Sequence, residues 1–335
     1  MSWNYTDGRV NGTVSIYTPM ALAGNYVAHL LANGGYCNIA DPETFTIVAS
    51  PNGSLSGSGG GKKVIFIGID GVRPDALALA NTPNLDYLIA NGAYDGNATT
   101  NSATFSGPGF ADITTGVTVY KHGVNSNTYD PSFNFKNWPS WLDIMERENP
   151  SLNTVCVTSW GFFHAAISYR IDRRVMHNGY DIGWDTADLR IKNDAKNILS
   201  HDDPDAMFVY FENTDEVGHI YGATGQKTLD EIELIDGYIG ELVSAIEGRA
   251  TFATEDWLIL VGTDHGRTDA GDHGGTSPDE KWIFYLAGGT GSDQGTSVTG
   301  ASNVTHAASA LMHMLGSIDP SWGLDGQPKG LSTNN

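Results

Sequence analysis

Apolar residues along the chain fall into two textures, divided by one abrupt change of composition. Up to residue 50 they come as short runs, Thr13-Val-Ser-Ile-Tyr17, Tyr26-Val-Ala-His-Leu30 and Phe45-Thr-Ile-Val48, broken by Gly, Pro and Asn. That spacing predicts short strands joined by turns. Three or four strands are fewer than the about seven of a free-standing sandwich. Residues 1–50 therefore read as a small β segment, an Ig-like remnant or strands that lean on a larger domain. Residues 51–63, Pro-Asn-Gly-Ser-Leu-Ser-Gly-Ser-Gly-Gly-Gly-Lys-Lys, have linker character.

From residue 64 to 335 the texture is strand, loop, helix. Val64-Ile-Phe-Ile-Gly-Ile69, Met207-Phe-Val-Tyr-Phe211 and Leu258-Ile-Leu-Val261 are continuous apolar runs. Such runs are expected of strands buried on both faces of a parallel sheet. Thr154-Val-Cys-Val-Thr158 predicts a fourth. Between them, Thr82–Gly92 carries Pro early and Gly last, the start and stop signals of a helix. Across Leu229–Gly248, Ile232, Ile235, Ile239, Leu242, Val243 and Ile246 make one amphipathic stripe. Strands alternating with helices predict an α/β fold: a doubly wound, mostly parallel sheet flanked by helices, with the small β segment ahead of it.

Composition narrows the partners. Of 335 residues, 40% are hydrophobic and 10% aromatic, enough for a sizeable core. Eighteen basic against 39 acidic residues give a formal charge of −21, with no Lys/Arg cluster to displace phosphate counterions, so a nucleic-acid polymer is not an expected partner. No apolar run approaches the ~18 residues of a membrane span. The start, Met1-Ser2-Trp3-Asn4, has no signal-peptide pattern. Low Lys with abundant Asp, Gly, Ser, Thr and Asn suits a periplasmic or secreted protein. Cys37 and Cys156 make no disulfide framework, and Cys156 reads as a small buried strand residue.

The chemistry gathers where the three strongest strands stop. The first runs into Asp70-Gly71, the second into Glu212-Asn-Thr-Asp215-Glu-Val-Gly-His219, the third into Gly262-Thr-Asp264-His265-Gly266. Open α/β sheets bind ligands at the carboxyl ends of their strands. Carboxylates crowded there repel one another unless cations compensate them. Mixed Asp oxygen and His nitrogen donors suit zinc or another borderline divalent ion. Taken singly, each Asp reads as a solvated loop residue or a helix cap, and Asp215 with His219 as a surface pair; three such strand ends together argue for a metal site. Ser106, in Thr104-Phe-Ser-Gly-Pro-Gly-Phe110, is the candidate nucleophile. Pro108 fits a first helical position, which puts Ser106 at a helix N-terminus, where phosphate oxyanions are favoured. Its alternative reading is an N-cap serine.

Ile67-Gly-Ile-Asp70-Gly71, the Ser106 turn, Thr115-Gly with His122-Gly-Val124, Asn213-Thr-Asp215 with Gly218-His219, and Thr263-Asp264-His265-Gly266 stand in the order of the alkaline phosphatase superfamily. The chain resembles its nucleotide pyrophosphatase/phosphodiesterase-like branch over about residues 64–330. The resemblance implies two zinc ions. Asp70, Asp264 and His265 would hold one together with the Ser106 oxygen, and Asp215, His219 and a third His the other. His273 is chosen for that third ligand, with His306 and His313 as rivals in a helical, packing-type setting. Asn127 would bind a non-bridging phosphoryl oxygen. Sulfatases, in contrast, need an Arg two residues after the Pro of their nucleophile motif, and Phe110 stands there.

The function implied is a metal-dependent phosphoester hydrolase, a phosphodiesterase or nucleotide pyrophosphatase working through a phosphoseryl intermediate on a small phosphoester. An alkaline phosphomonoesterase is the alternative within enzymes, and a non-catalytic surface-binding protein the alternative outside them. A monoester dianion needs a cationic partner, and Arg170, Arg173, Arg174 and Arg267 are the candidates. Phe110, Trp160, Phe162 and Phe163 are expected to wall the second ester group of a diester.

Overall fold

The computed structural model describes residues 61–130, 132–163 and 171–332 in full, and the backbone of short strands between residues 2 and 47. The chain divides into two compact units, Met1–Ser54 and Leu55–Asn335. In the first, Ser2–Thr6 pairs antiparallel with Arg9–Thr13, Gly24–Tyr26 with Phe45–Ile47, and Leu31–Ala32 with Gly35–Tyr36. Of the three expected runs, the one at Phe45 coincides with a strand over Phe45–Ile47, and Val48 lies outside the described residues. Only the first residues of the other two, Thr13 and Tyr26, fall in strands; the remainder lies outside the described residues, as does Cys37.

The second unit is built on one sheet, whose strands are β1 (Gly61–Ile69), β2 (Ala93–Thr99), β3 (Thr154–Thr158), β4 (Arg173–Met176), β5 (Ala206–Phe211), β6 (Glu255–Gly262), β7 (Trp282–Gly288) and β8 (Thr296–Ser297). Their order across the sheet is β4-β3-β5-β1-β6-β7-β2-β8. The pairs from β4 through β6 are parallel, β7 is antiparallel to both neighbours, and β8 pairs parallel with β2. The sheet is therefore mixed and mostly parallel, as the continuous apolar runs predict.

Helices cover both faces. Because successive strand residues point to opposite sides, Val64, Phe66, Phe208, Tyr210, Leu258 and Leu260 face α3 (Ser106–Thr115), α4 (Trp141–Glu148) and α8 (Thr305–Leu315). Ile65, Ile67, Met207, Val209, Ile259 and Val261 face α1 (Pro74–Leu79), α2 (Pro83–Ala90), α5 (Trp184–His201) and α7 (Gln226–Glu247). The stripe read from Ile232 to Ile246 is the buried face of α7. Cys156 is buried in β3, and burial pushes its thiol up to about 12.

β1 starts earlier than expected, so Gly61-Lys62-Lys63 belong to the sheet and not to a linker. Lys63 is drawn in by Asp203 (2.8 Å) and Asp205 (2.9 Å) at the entrance to β5. Arg249 adds Asp203 (2.6 Å) and Glu255 (2.9 Å), the first residue of β6. At the amino-terminal edge of the three central strands these carboxylates are thus paired with basic side chains of the chain itself.

Candidate metal centre at the carboxyl edge of the sheet

β5, β1 and β6 are neighbours running the same way, so the residues after Phe211, Ile69 and Gly262 meet on one edge. Asp70 continues the alternation of Val64 and Phe66 and so points toward α3, as Asp264 does after Leu258 and Leu260. Asp215 and His219 sit one turn apart on α6 (Asn213–Tyr221) and meet at 3.1 Å, Oδ2 to Nε2. The donor atoms of Asp70, Asp264 and His265 all lie within 4.8 Å of one another, and so do those of Asp215, His265 and His273.

The hydrogen bonds define what each donor offers. His265 gives its Nδ1 proton to Gly266 O (2.9 Å), leaving a lone pair on Nε2 that faces Asp264 Oδ2 at 3.2 Å and Asp70 Oδ1 at 3.5 Å. Asp264 Oδ2 is buried without a hydrogen-bond donor among the described residues. His273 likewise gives Nδ1–H to Thr104 O (2.6 Å) and turns Nε2 toward His219 Nε2 at 2.9 Å. Its ring stacks on that of His265 with centroids 3.9 Å apart, which brings the two clusters side by side. Lone pairs facing lone pairs at these distances are repulsive unless a cation or a proton lies between them; Asp70, Asp264 and His265 are fully buried, whereas His219 stands at the exposed rim. Tetrahedral ligands at the usual zinc bond lengths stand about 3.3 Å apart. The donor set therefore fits divalent ions.

Electrostatics agree. Burial, then the charges of Asp264 and Asp215, pushes the Asp70 carboxyl well above its ordinary range. Burial pushes Asp264 up to about 7 and holds His265 well below its ordinary value. Burial works against ionised Asp215 too, but His219, His273 and the Arg267 guanidinium outweigh it and hold that carboxyl low.

Ser106 is the first residue of α3 and its hydroxyl caps nothing, since Phe105 is the N-cap and Pro108 sits third in the helix. Its Oγ lies 3.5 Å from both Asp70 Oδ1 and His265 Nε2. Asn127 Oδ1 accepts the Gly107 N–H at 2.8 Å, which fixes its amide beside Ser106. His306 and His313 do not join this constellation. His306 packs against Phe66 and Tyr285 in the core, and His313 reaches Lys63 O and Asp256 O at the opposite edge.

Three expectations change. Arg267 is buried against Asp215, Nη2 to Oδ1 at 2.5 Å, and faces no open phosphoryl site. Arg173 pairs with Asp202, Arg174 lies on the outermost strand β4, and Arg170 lies outside the described residues. Phe110, Trp160, Phe162 and Phe163 pack on one another and on Tyr210 as core rather than wall. The exposed aromatics of this region include Phe105, whose ring centroid lies 6.1 Å from His273, and Tyr180. The Tyr180 phenol is pushed up by burial and by Glu212, Glu216 and Asp215. The sequence reading also passed over Tyr210, which donates to Asp70 Oδ2 at 2.6 Å, and Thr214, which donates to Asp70 O at 2.6 Å. Strand alternation was the available signal for Tyr210, because it shares a face with Asp70.

Residues 64–284 match the type I phosphodiesterase / nucleotide pyrophosphatase family. The chain belongs to that family. This places it in the alkaline phosphatase superfamily, on the nucleotide pyrophosphatase/phosphodiesterase-like branch. Among similar curated proteins, the GPI ethanolamine phosphate transferase 2 of Eremothecium gossypii is 25% identical over 226 residues, covering 65% of this chain and 27% of that one. The bis(5'-adenosyl)-triphosphatase ENPP4 of Homo sapiens is 23% identical over 224 residues, covering 62% and 48%. The chain spans about half or less of these relatives. Murine ectonucleotide pyrophosphatase/phosphodiesterase 5 shares the fold, with a TM-score of 0.62 at 15% identity over 81% of this chain and 97% of that one. No helix among the described residues is long and apolar enough to cross a membrane.

Proposed function

We propose that the phosphodiesterase/nucleotide pyrophosphatase family member described above is a two-metal phosphodiesterase with Ser106 as nucleophile. The observation that carries this is the position of Ser106 Oγ, 3.5 Å from one donor of Asp70 and one of His265 at the start of α3. Asp70, Asp264, His265 and the Ser106 oxygen would hold one ion, and Asp215, His219 and His273 the other. Zinc ions held there would lower the pKa of the serine hydroxyl and of water and offset the charge developing on the phosphoryl oxygens.

The protein's own part is placement. Ser106 Oγ, its proton lost, attacks phosphorus as the bond to the leaving oxygen breaks and that oxygen departs as the alcohol; the seryl phosphodiester so formed keeps the other ester group, and water then cleaves its P–Oγ bond, releasing the phosphomonoester and restoring Ser106. Asn127, with Oδ1 committed to Gly107 N–H, keeps its Nδ2 hydrogens for a non-bridging oxygen. Tyr210 and Thr214 fix Asp70 from its far side. A diester suits the site better than a monoester, because the nearby Arg267 is consumed by Asp215. Phe105 and Tyr180 supply aromatic surface for a second ester group. Catalysis is assigned to residues 64–335, outside the small β segment of residues 1–50, and the acidic, lysine-poor composition accords with a periplasmic or secreted setting.

The test compares a monoester and a diester carrying the same aryl leaving group, before and after chelation, with elemental analysis. The reading expects about two zinc ions per chain, loss of activity on chelation, and higher kcat/KM for the diester. Full activity in metal-free protein refutes the mechanism. A monoester favoured tenfold, about 1.4 kcal/mol, refutes the substrate preference alone.

A further inference from the structure

We infer that Arg267 is a positioning residue that builds the second cation site, by tying together the chain segments that carry its donors and those of the first. The inference rests on the two-metal reading above. Arg267 is fully buried, and its guanidinium spends its hydrogens on three segments. Nε donates to Gly71 O at 2.8 Å, in the turn that follows Asp70. Nη1 donates to Asp215 O and to Gly271 O, both at 3.2 Å. Nη2 takes Asp215 Oδ1 at 2.5 Å.

The consequence for Asp215 is orientation. With Oδ1 committed to the guanidinium, Oδ2 is the oxygen turned toward His219. The consequence for His273 is reach. It follows Arg267 by only six residues, and the intervening loop turns back on itself, with Gly271 N–H bonded to Thr268 O at 2.9 Å and Thr268 N–H to Asp272 O at 2.8 Å. Gly271 O rests on Arg267, so the loop that delivers His273 to His219 is anchored on the same group that fixes Asp215.

The surroundings are cut to this guanidinium. A Cβ at Gly71 would overlap Nη2, and one at Gly218, inside α6, would overlap Nη1 and Cζ. Glycine inside a helix costs about 1 kcal/mol relative to alanine, and here its absence of side chain admits the arginine. Arg73 braces the other side, donating to Arg267 O at 3.1 Å while bound to Asp75 and Asp269. Lysine, a single point of charge, cannot span four acceptors on three segments.

Wild type, Arg267→Met, Arg267→Lys and Gly218→Ala are compared by zinc content, by zinc competition with a chromophoric chelator, and by the visible spectrum of the cobalt(II)-loaded protein. Wild type should hold two zinc ions. Arg267→Met should keep one and bind the other 10- to 100-fold more weakly, about the loss seen when a ligand's supporting partner is removed, with one cobalt environment altered. Arg267→Lys should not restore the lost affinity. Two zinc ions with wild-type competition curves in Arg267→Met overturn the inference, and full rescue by lysine overturns its spanning role. If Arg267→Met does not fold, Gly218→Ala decides: it keeps the charge but displaces the guanidinium, and wild-type affinity there overturns the inference. A wild-type chain that binds no zinc overturns the two-metal reading itself, a result visible before any substitution.

Discussion

Replacing Tyr210 by Phe removes one buried hydroxyl and almost nothing else. The ring keeps its edge contacts with Phe110, 4.8 Å between centroids, and its packing on Phe163 at 4.6 Å. No cavity beyond one oxygen is made, so the cost is that of the 2.6 Å bond to Asp70 Oδ2. A hydrogen bond to a charged acceptor contributes about 1.5–3 kcal/mol, and its loss leaves a buried carboxylate oxygen without that donor. Asp70 is ionised most firmly when a cation is bound, so the loss should be largest in zinc-loaded protein. Urea unfolding in excess zinc should show a destabilisation of about 1.5–3 kcal/mol. Chelator competition should show zinc affinity down by about tenfold or more, with kcat/KM falling alongside it. A Tyr210→Phe protein within about 0.5 kcal/mol of wild type, with unchanged zinc affinity, refutes the idea that Tyr210 sets the Asp70 ligand.

Ser106→Ala should keep both metals and the unfolding curve while turnover falls by about 10³-fold or more, some 4 kcal/mol of transition-state stabilisation; a near-native rate on an aryl diester moves the nucleophile elsewhere. His273→Ala should lose one metal equivalent by elemental analysis, because Asp215 and His219 alone leave its site open, whereas His313→Ala should lose none. Asp188 is buried, and burial pushes its carboxyl up to about 7 although it accepts the N–H groups of Glu212 and Asn213. Its folded form holds a proton that the unfolded chain, near 3.9, has released. Stability from this group is therefore present at low pH and lost as pH rises from about 4 to about 7. Asp188→Asn should flatten the pH dependence of unfolding across that window, and an unchanged slope refutes the assignment.

The centre of the fold was legible because strands buried on both faces leave unbroken apolar runs, and three of those runs stop at acids. β4 and β2 left no such mark. The first is an outermost strand reading Arg-Arg-Val-Met, and the second holds Asp95, Gly96 and Asn97, poor strand formers that bond locally, Asn97 N–H to Asp95 Oδ1. The donors Asp70, Asp264 and His265 lie beside strand ends, where pattern predicts position. Arg267 was misread as a free cation because its partner stands 52 residues away along the chain. The aromatic run from Trp160 to Phe163 looked like a ligand wall because composition alone does not say which side of a turn faces the core.

The central strands finish differently at their two ends. At the amino edge Lys63 and Arg249 answer Asp203, Asp205 and Glu255 within the chain. At the carboxyl edge Arg267 answers Asp215, but among the described residues no Lys or Arg pairs with the buried Asp70 and Asp264. On the two-metal reading, the same three strands have one end that pairs its charges within the chain and one whose remaining counter-charge would come from bound cations. Removing cations should then loosen the sheet from one side only. Amide exchange after chelation should speed up around Asp70, Asp215 and Asp264 while the strand starts at Lys63, Ala206 and Glu255 stay protected. The ions, on this view, are the last structural element to be added, and the sheet is a scaffold firm at its base and open to its medium at the working end.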